Sequence, residues 1–308
     1  LLARVKNGGV LPMITSCSPG WINFCEYNYG DLLPHLSSCK SPHEMFGAIL
    51  KTYYAERIGV DPKDMFVVSI MPCTAKKYEK TRKQLTDENG MPDVDAVLTT
   101  RELGRLIKRA GIMFNRLPDE EFDNDIVGEY TGAGVIFGAS GGVMEAALRT
   151  AAAKLTGKEL ESADLVEVRG LDGIKEATYN LGGTEVKVAV CHGMKNARVL
   201  LDQIREGKSP YLFIEVMGCP GGCVAGGGQP YVKPCFLPNE EDNILDTYKA
   251  KRASALYKED KMKQFRASHL NPQIIELYDK FLGEPNSHKA HELLHTSYEA
   301  REGFNEKK

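Results

Sequence analysis

A chain of 308 residues, 42 % hydrophobic and 26 % charged, has the make-up of a soluble globular protein of one large or two medium domains. A net charge of −3 argues against nucleic acid as the main partner, and no apolar run reaches the length of a membrane span. Eight cysteines are too sparse for a disulfide scaffold. Their grouping points to metal ligation in a reducing compartment, which predicts a cytoplasmic location.

In chain order the pattern is α/β. No signal peptide opens the chain; residues 1–6 read as a helix already under way, as at a start inside a larger protein, and Gly8-Gly9 stops it. Residues 10–15 form an apolar strand that runs into Thr15-Ser16-Cys17-Ser18-Pro19-Gly20-Trp21, a turn into a helix over 21–27. Ser41-Pro42 starts a helix reaching about residue 57. The run 66–71, apolar apart from Ser69, predicts a parallel strand buried on both faces, ending in Pro72-Cys73. Residues 80–93 form a polar excursion, 94–98 another strand, and Thr100 caps a helix over 101–110.

After an acidic, turn-rich segment at 116–132, the run Gly132 to Gly142 leads into a helix over 143–155. It lacks a Gly-Lys-Ser/Thr ending and a clean GxGxxG, so it does not make a nucleotide cradle. Strands are expected at 165–168, 185–190 and 211–217, with a helix at 196–206. Beyond Pro238 come helices at about 245–258, 271–282 and 288–295, a tail wrapped round the α/β body that ends in a solvated segment over 301–308.

The last strand feeds Glu215-Val216-Met217-Gly218-Cys219-Pro220-Gly221-Gly222-Cys223, and the loop continues through Gly226-Gly227-Gly228 to Gln229-Pro230. Glycines let backbone pass close to a neighbour without Cβ clashes, and thiolates are the soft ligands of iron–sulfur clusters. Cysteines recur at strand ends: Cys17 after one, Cys73 after another, Cys219 and Cys223 after a third. Sites in open α/β sheets form beyond the carboxyl ends of strands, so the three loops can converge. Lys76 follows Cys73 by three residues, on the same side of a helical turn, where an ammonium could hold an anionic ligand.

These loops resemble the catalytic domain of [FeFe] hydrogenases, whose signatures are TSCCPxW, MPCxxKxxE and ExMxCxxGCxxGGGQP. The second matches at Met71, Pro72, Cys73, Lys76 and Glu79, and the third at every defined position from Glu215 to Pro230. The resemblance implies an α/β fold of two mainly parallel lobes with the active site between them. It divides the chain into a catalytic part, 1–238, whose first segment is missing, and a helical, small-subunit-like part, 239–308. It implies reversible reduction of protons to H2 at an H-cluster: a [4Fe-4S] cubane joined to a diiron unit carrying CO, cyanide and an azadithiolate. Cys73 and Cys219 would ligate the cubane and Cys223 would link it to the diiron unit. Lys76 would hold a cyanide, and Met71, Met217 and Phe137 would pack on the diiron unit. Pro72, Gly138, Gly227 and Gln229 would line the cofactor. From spacing alone Phe137 and the two methionines read as simple core.

The first signature departs from the family. Aligned on Thr15, Pro19 and Trp21, its two cysteines fall on Cys17 and Ser18. The family uses the first in proton relay and the second as the fourth cubane ligand. Three accounts stand: Ser18 ligates through its harder oxygen, Cys17 is recruited instead, or the cubane is altered; the change could also be a tolerated variant. Ser37 and Arg4 match further relay positions. Cys25, Cys39, Cys191 and Cys235 match no ligand position and read as structural thiols, with Cys39 a candidate substitute ligand. His288, His291 and His295 share a helical face and read as ordinary helix residues.

No CxxCxxCxxxC run supplies a ferredoxin-type relay, so electrons would come from ferredoxin, an NAD-linked iron–sulfur/flavin subunit or a preceding segment. Maturation proteins would insert the diiron unit. The alternatives to a hydrogenase are an H2 sensor of the same fold and a non-catalytic iron–sulfur assembly scaffold. The complete second and third signatures argue against the scaffold.

Overall fold

The computed structural model describes residues 1–121, 123, 126–232 and 244–302. The strands among these residues form two sheets: β1 Met13–Ile14, β6 Phe213–Met217, β5 Thr184–His192 and β4 Ile174–Leu181 in that spatial order, and β2 Val68–Met71 beside β3 Ala96–Thr99. β1, β6 and β5 are parallel, with Met13 opposite Phe213 and Val188 opposite Phe213. β4 returns antiparallel to β5 through Gly182-Gly183. Both glycines have φ above +60°, as a two-residue hairpin turn demands. β2 and β3 are parallel, with Met71 opposite Thr99.

The α-helices among the described residues are α1 Leu2–Asn7, α2 Pro19–Asn28, α3 Pro42–Ile49, α4 Ala55–Ile58, α5 Lys76–Glu79, α6 Thr100–Arg109, α7 Gly132–Ile136, α8 Gly142–Thr156, α9 Met194–Arg205, α10 Ile244–Met262, α11 Pro272–Leu277 and α12 His288–Leu294. Their ends follow local chemistry. Gly8 closes α1 in the left-handed region, and Pro42 stands at the first turn of α3. Thr99, not Thr100, caps α6: its hydroxyl accepts from the Glu102 amide, and the Glu102 carboxylate accepts from the Thr99 amide.

The larger sheet carries the main core. β6 is buried at all five positions, as a central parallel strand should be. One face holds Ile14, Trp21, Leu200 and Ile214, and the other Met144, Leu148, Val188 and Phe213. Here the structure corrects several expectations. The first strand is confined to two residues, and the second helix begins at Pro19 rather than residue 21. Residues 166–168 form a 3-10 turn, not a strand, and β4 was not anticipated. In the smaller sheet Phe66 is 73 % exposed, Val68 46 % and Ile70 41 %. The run at 66–71 is thus not buried on both faces, because nothing among the described residues packs on its outer side. Cys235 and the composition shift at Pro238 lie outside the described residues.

The C-terminal helices wrap the α/β body as expected. α10 packs on α7 and α12 on α3. A buried ion network locks α10 to α8: Arg149 donates to Glu145 at 2.8 Å and to Asp260 at 2.8 and 2.9 Å. Beyond α12 the Thr296 amide donates to the Ser38 carbonyl, and the Tyr298 hydroxyl to the Ser37 carbonyl at 2.9 Å. Among the described residues no helix is long and apolar enough to cross a membrane.

Candidate metal centre

Three strand ends meet at one place. β1 leads into Thr15, whose hydroxyl accepts from the Val216 amide of β6 at 3.0 Å and whose carbonyl accepts from the Trp21 indole at 2.9 Å. That fixes the turn bearing Cys17 and Ser18 against the end of β6. β2 ends in Met71 and passes through Pro72 to Cys73. β6 ends in the buried Met217 and passes through Gly218 to Cys219.

The two cysteine loops of the two lobes interlock through backbone. The Gly228 amide donates to the Pro72 carbonyl at 2.8 Å, and the Arg101 amide to the Gly228 carbonyl at 3.1 Å. A Cβ at Gly226 would run into the Pro72 carbonyl. A Cβ at Gly222, where φ is +95°, would meet the backbone of residues 138–140. These contacts explain the glycines in this loop: only a bare backbone fits against both neighbours. The Val224 amide donates to the Gly138 carbonyl at 2.9 Å, which brings Phe137 and Gly138 beside Cys223. Gly227 faces the Thr74 side chain, and the Gln229 carbonyl accepts from Arg101 at 2.6 Å.

Electrostatics tie the thiols into one group. Burial pushes Cys223 up to about 11, and Cys73 and Cys219 add to the rise while Lys76 opposes it. Cys219 is raised by burial and then by Cys73, against a hydrogen bond from the Gly227 amide. Burial pushes Cys17 up to about 12, and among the charged groups Cys223 adds most and Lys76 opposes. Ser18 lies on the other side, with its hydroxyl against Gly218, next to Cys219. Lys76 is buried; its ammonium donates to the Cys17 carbonyl at 3.0 Å and to Glu79 at 2.7 Å.

The donor set suits a cluster rather than a single ion. Among the described residues only His43, Glu44 and Glu79 bring three ligand atoms within 4.8 Å of one another. The thiols are spaced more widely, yet Cys73 and Cys219 make Cys223 harder to ionise, Cys73 does the same to Cys219, and Cys223 to Cys17. Soft, desolvated, mutually repelling thiols on loops with close backbone approach fit a polynuclear iron–sulfur group.

Other candidates stand apart. The Cys39 thiol faces the Leu1 amine, Tyr278 and Tyr298. Cys25 and Cys191 are buried in the core beside Trp21. The Arg4 guanidinium donates to the carbonyls of Val10, Pro34, His35 and Leu36, which makes it a staple between α1 and the following loops. The Ser37 hydroxyl accepts from the Cys39 amide at 3.3 Å. His295 bonds Ser38 and stacks on His291, while His288 is exposed.

Two buried glutamates of the signatures had no role in the sequence reading. Glu215 is fully buried, and its carboxylate accepts from the Gly141 and Met144 amides at 2.6 and 2.7 Å at the start of α8. Burial outweighs these bonds and raises it to about 7. Glu79 accepts from Lys76, Ser41 and His43. Its place in the MPCxxKxxE spacing was the available signal; His43 and Glu44, at the start of α3, carried none.

Comparison with known proteins agrees with this geometry. Residues 1–227 match the family model "Iron only hydrogenase large subunit, C-terminal domain", and residues 246–301 match "Iron hydrogenase small subunit". The chain is 50 % identical over 292 residues to the NADP-reducing hydrogenase subunit HndD of Solidesulfovibrio fructosivorans, covering 95 % of this chain and 48 % of that protein. It is 32 % identical to cytosolic iron-sulfur assembly component 3 of Rattus norvegicus, over 96 % of this chain and 60 % of that protein. An apo [FeFe]-hydrogenase structure from Chlamydomonas reinhardtii superposes with a TM-score of 0.80 at 43 % identity, covering 97 % of this chain and 79 % of that one. The chain spans about half the length of the hydrogenase relatives it matches. By these matches and by the three converging loops, the chain belongs to the iron-only hydrogenase family.

Proposed function

We propose that the chain is the catalytic part of an [FeFe] hydrogenase that interconverts protons, electrons and H2. The observation that carries this reading is the convergence of Cys73, Cys219 and Cys223 on one group with the Lys76 ammonium buried beside it. Cys73 and Cys219 would hold the cubane, and Cys223 would hold it jointly with the diiron unit. When bound, the H-cluster would supply the redox-active iron at which H2 is formed or split.

The chain's own residues have separable tasks. Lys76 would hold an anionic ligand of the diiron unit by a charge-assisted hydrogen bond. Cys17, beside Cys223 and Lys76, would carry a proton at Sγ, and Ser37 would pass one at Oγ. Met71, Met217 and Phe137 would keep water from the reactive side. Pro72, Gly138, Gly227 and Gln229 would shape the cavity through backbone alone. The contact of Ser18 with Gly218 beside Cys219 supports Ser18 as the fourth cubane ligand and leaves Cys17 free for protons. The electron partner would be ferredoxin or an iron–sulfur/flavin subunit, and maturation proteins would deliver the diiron unit.

The test is reconstitution with iron, sulfide and a synthetic diiron complex, followed by infrared spectroscopy and H2 production from reduced viologen. CO and cyanide bands with H2 production are expected; a fully loaded cluster without turnover sinks the reading. A Ser18→Cys variant should change the cubane's paramagnetic resonance spectrum, and an unchanged spectrum would remove Ser18 from the ligand set. The similarity to an iron–sulfur assembly component favours a second reading, a scaffold that carries clusters without hydrogen chemistry. It predicts a cubane with no bound diiron unit.

A further inference from the structure

His43 and Glu44, near the start of α3, and Glu79, at the end of α5, form a buried constellation behind Lys76. His43 Nε2 lies 2.6 Å from Glu79 Oε2 and 3.1 Å from Glu44 Oε1, and its Nδ1 lies 3.1 Å from Ser69 Oγ. Glu79 Oε2 also accepts from Lys76 at 2.7 Å and from Ser41 at 2.8 Å. Glu44 is 0 % exposed, and neither of its carboxylate oxygens has an aligned hydrogen-bond partner among the described residues.

Three ligand atoms this close could suggest a divalent cation. The distances argue for a proton instead. Two ligands about 2.0–2.1 Å from one tetrahedral ion stand about 3.3 Å apart. A separation of 2.6 Å is that of a short, charge-assisted hydrogen bond. The Lys76 ammonium on the same oxygen would also repel a second cation.

Charge counting points the same way. Glu44 and Glu79 bring two negative charges and Lys76 one positive. The nearby Lys40 and Asp93 pair with each other at 2.7 Å and cancel. An imidazolium at His43 makes the group neutral; a neutral imidazole leaves Glu44 buried with no counter-charge, an expensive arrangement.

Building on the hydrogenase reading, we propose that His43 is a positioning residue for the reaction. Its imidazolium bridges Glu44 and Glu79, and so holds Glu79 where it pins the Lys76 ammonium at the metal centre. The direction of its proton affinity agrees: burial opposes the charge, but Glu44 and Glu79 outweigh it and raise His43 above the ordinary histidine value. His43 faces Glu44 on its own helix, Lys76 and Glu79 on α5, and Ser69 on β2. Deprotonation would leave two carboxylates repelling each other and loosen the hold on Lys76.

The test has two arms. In the chain labelled with 15N-histidine, NMR should show both His43 ring nitrogens still protonated above pH 6.5, and Glu79→Gln or Glu44→Gln should lower that titration. This arm needs no cluster. In the loaded protein, His43→Ala should shift the cyanide bands and slow H2 production about tenfold per loaded cluster. His43→Gln, a neutral donor to Glu79, should restore the bands but remove the alkaline limb of the pH profile. A neutral His43 at pH 6, or His43→Ala with unchanged bands and pH profile, overturns the proposal. A wild-type chain that loads no diiron unit overturns the hydrogenase reading, while the NMR arm still decides the bridge.

Discussion

The two lobes hold their cysteine loops by different means. In the larger lobe Glu215 sits below the Cys219 loop and is satisfied by the backbone amides of Gly141 and Met144. In the smaller lobe Glu79 sits below the Cys73 loop and is satisfied by the side chains of Lys76, His43 and Ser41. Helix amides are neutral and cannot titrate, so none of the groups hydrogen-bonded to Glu215 ionises, although Lys175 acts on it through space. The smaller lobe's anchor is a chain of ionisable groups and answers to its own charges. Hence burial raises Glu215, whereas Lys76 and His43 overcome burial and lower Glu79.

This contrast can be broken experimentally, and the largest effect is expected from the smaller lobe. Glu79→Ala strands the Lys76 ammonium in a buried site, which should cost about 3–5 kcal/mol by urea denaturation. A loss under 1 kcal/mol would mean that water reaches Lys76. Glu215→Gln keeps one acceptor and loses the other, leaving a buried amide unpaired at a cost of about 1–3 kcal/mol.

The pH dependence should differ between the lobes. Glu215, raised from 4.5 to about 7, binds a proton more readily folded than unfolded, so its contribution to stability falls as pH rises from about 4.5 to 7. Glu79 is lowered, so its contribution is present above about 4.5 and is lost only as pH falls through its folded value. Denaturation midpoints measured between pH 3 and pH 8 should therefore flatten between pH 4.5 and 7 in Glu215→Gln, and below pH 4.5 in Glu79→Gln. Identical profiles for the two variants would remove the distinction. The smallest effect is expected at Thr99→Ala, which unmakes the capping box behind the Cys73 loop and should cost about 1 kcal/mol.

The thiol loops were legible because chemistry demands fixed spacings within short stretches. Cys73 with Lys76 three residues on, and Cys219 with Cys223 four on, are local facts. The hairpin at Gly182-Gly183 was not read from the sequence, and β4 was missed with it, because its outer residues are polar and its alternation is weak. The strand at β2 was found but its burial was misread. A run that is apolar apart from Ser69 says that a residue can be covered, not that something covers it, and Phe66 lies open to solvent. Thr99 and Thr100 could both cap α6; the Glu102 carboxylate three residues after Thr99 decides between them.

By itself the sequence determined the family resemblance, the α/β order of elements, and which cysteines lie at strand ends. Each depends on neighbours a few residues apart, through strand periodicity, helix caps and ligand spacing. Only the tertiary structure decided what surrounds the two signature glutamates and that His43 meets Glu79 across 36 residues. Burial and charge pairing belong to the packed interior, where removing water turns an ordinary histidine and two ordinary glutamates into a coupled group. The sequence records their identities, but the dielectric and the distances that couple them exist only once α3 and α5 have packed together in the folded interior.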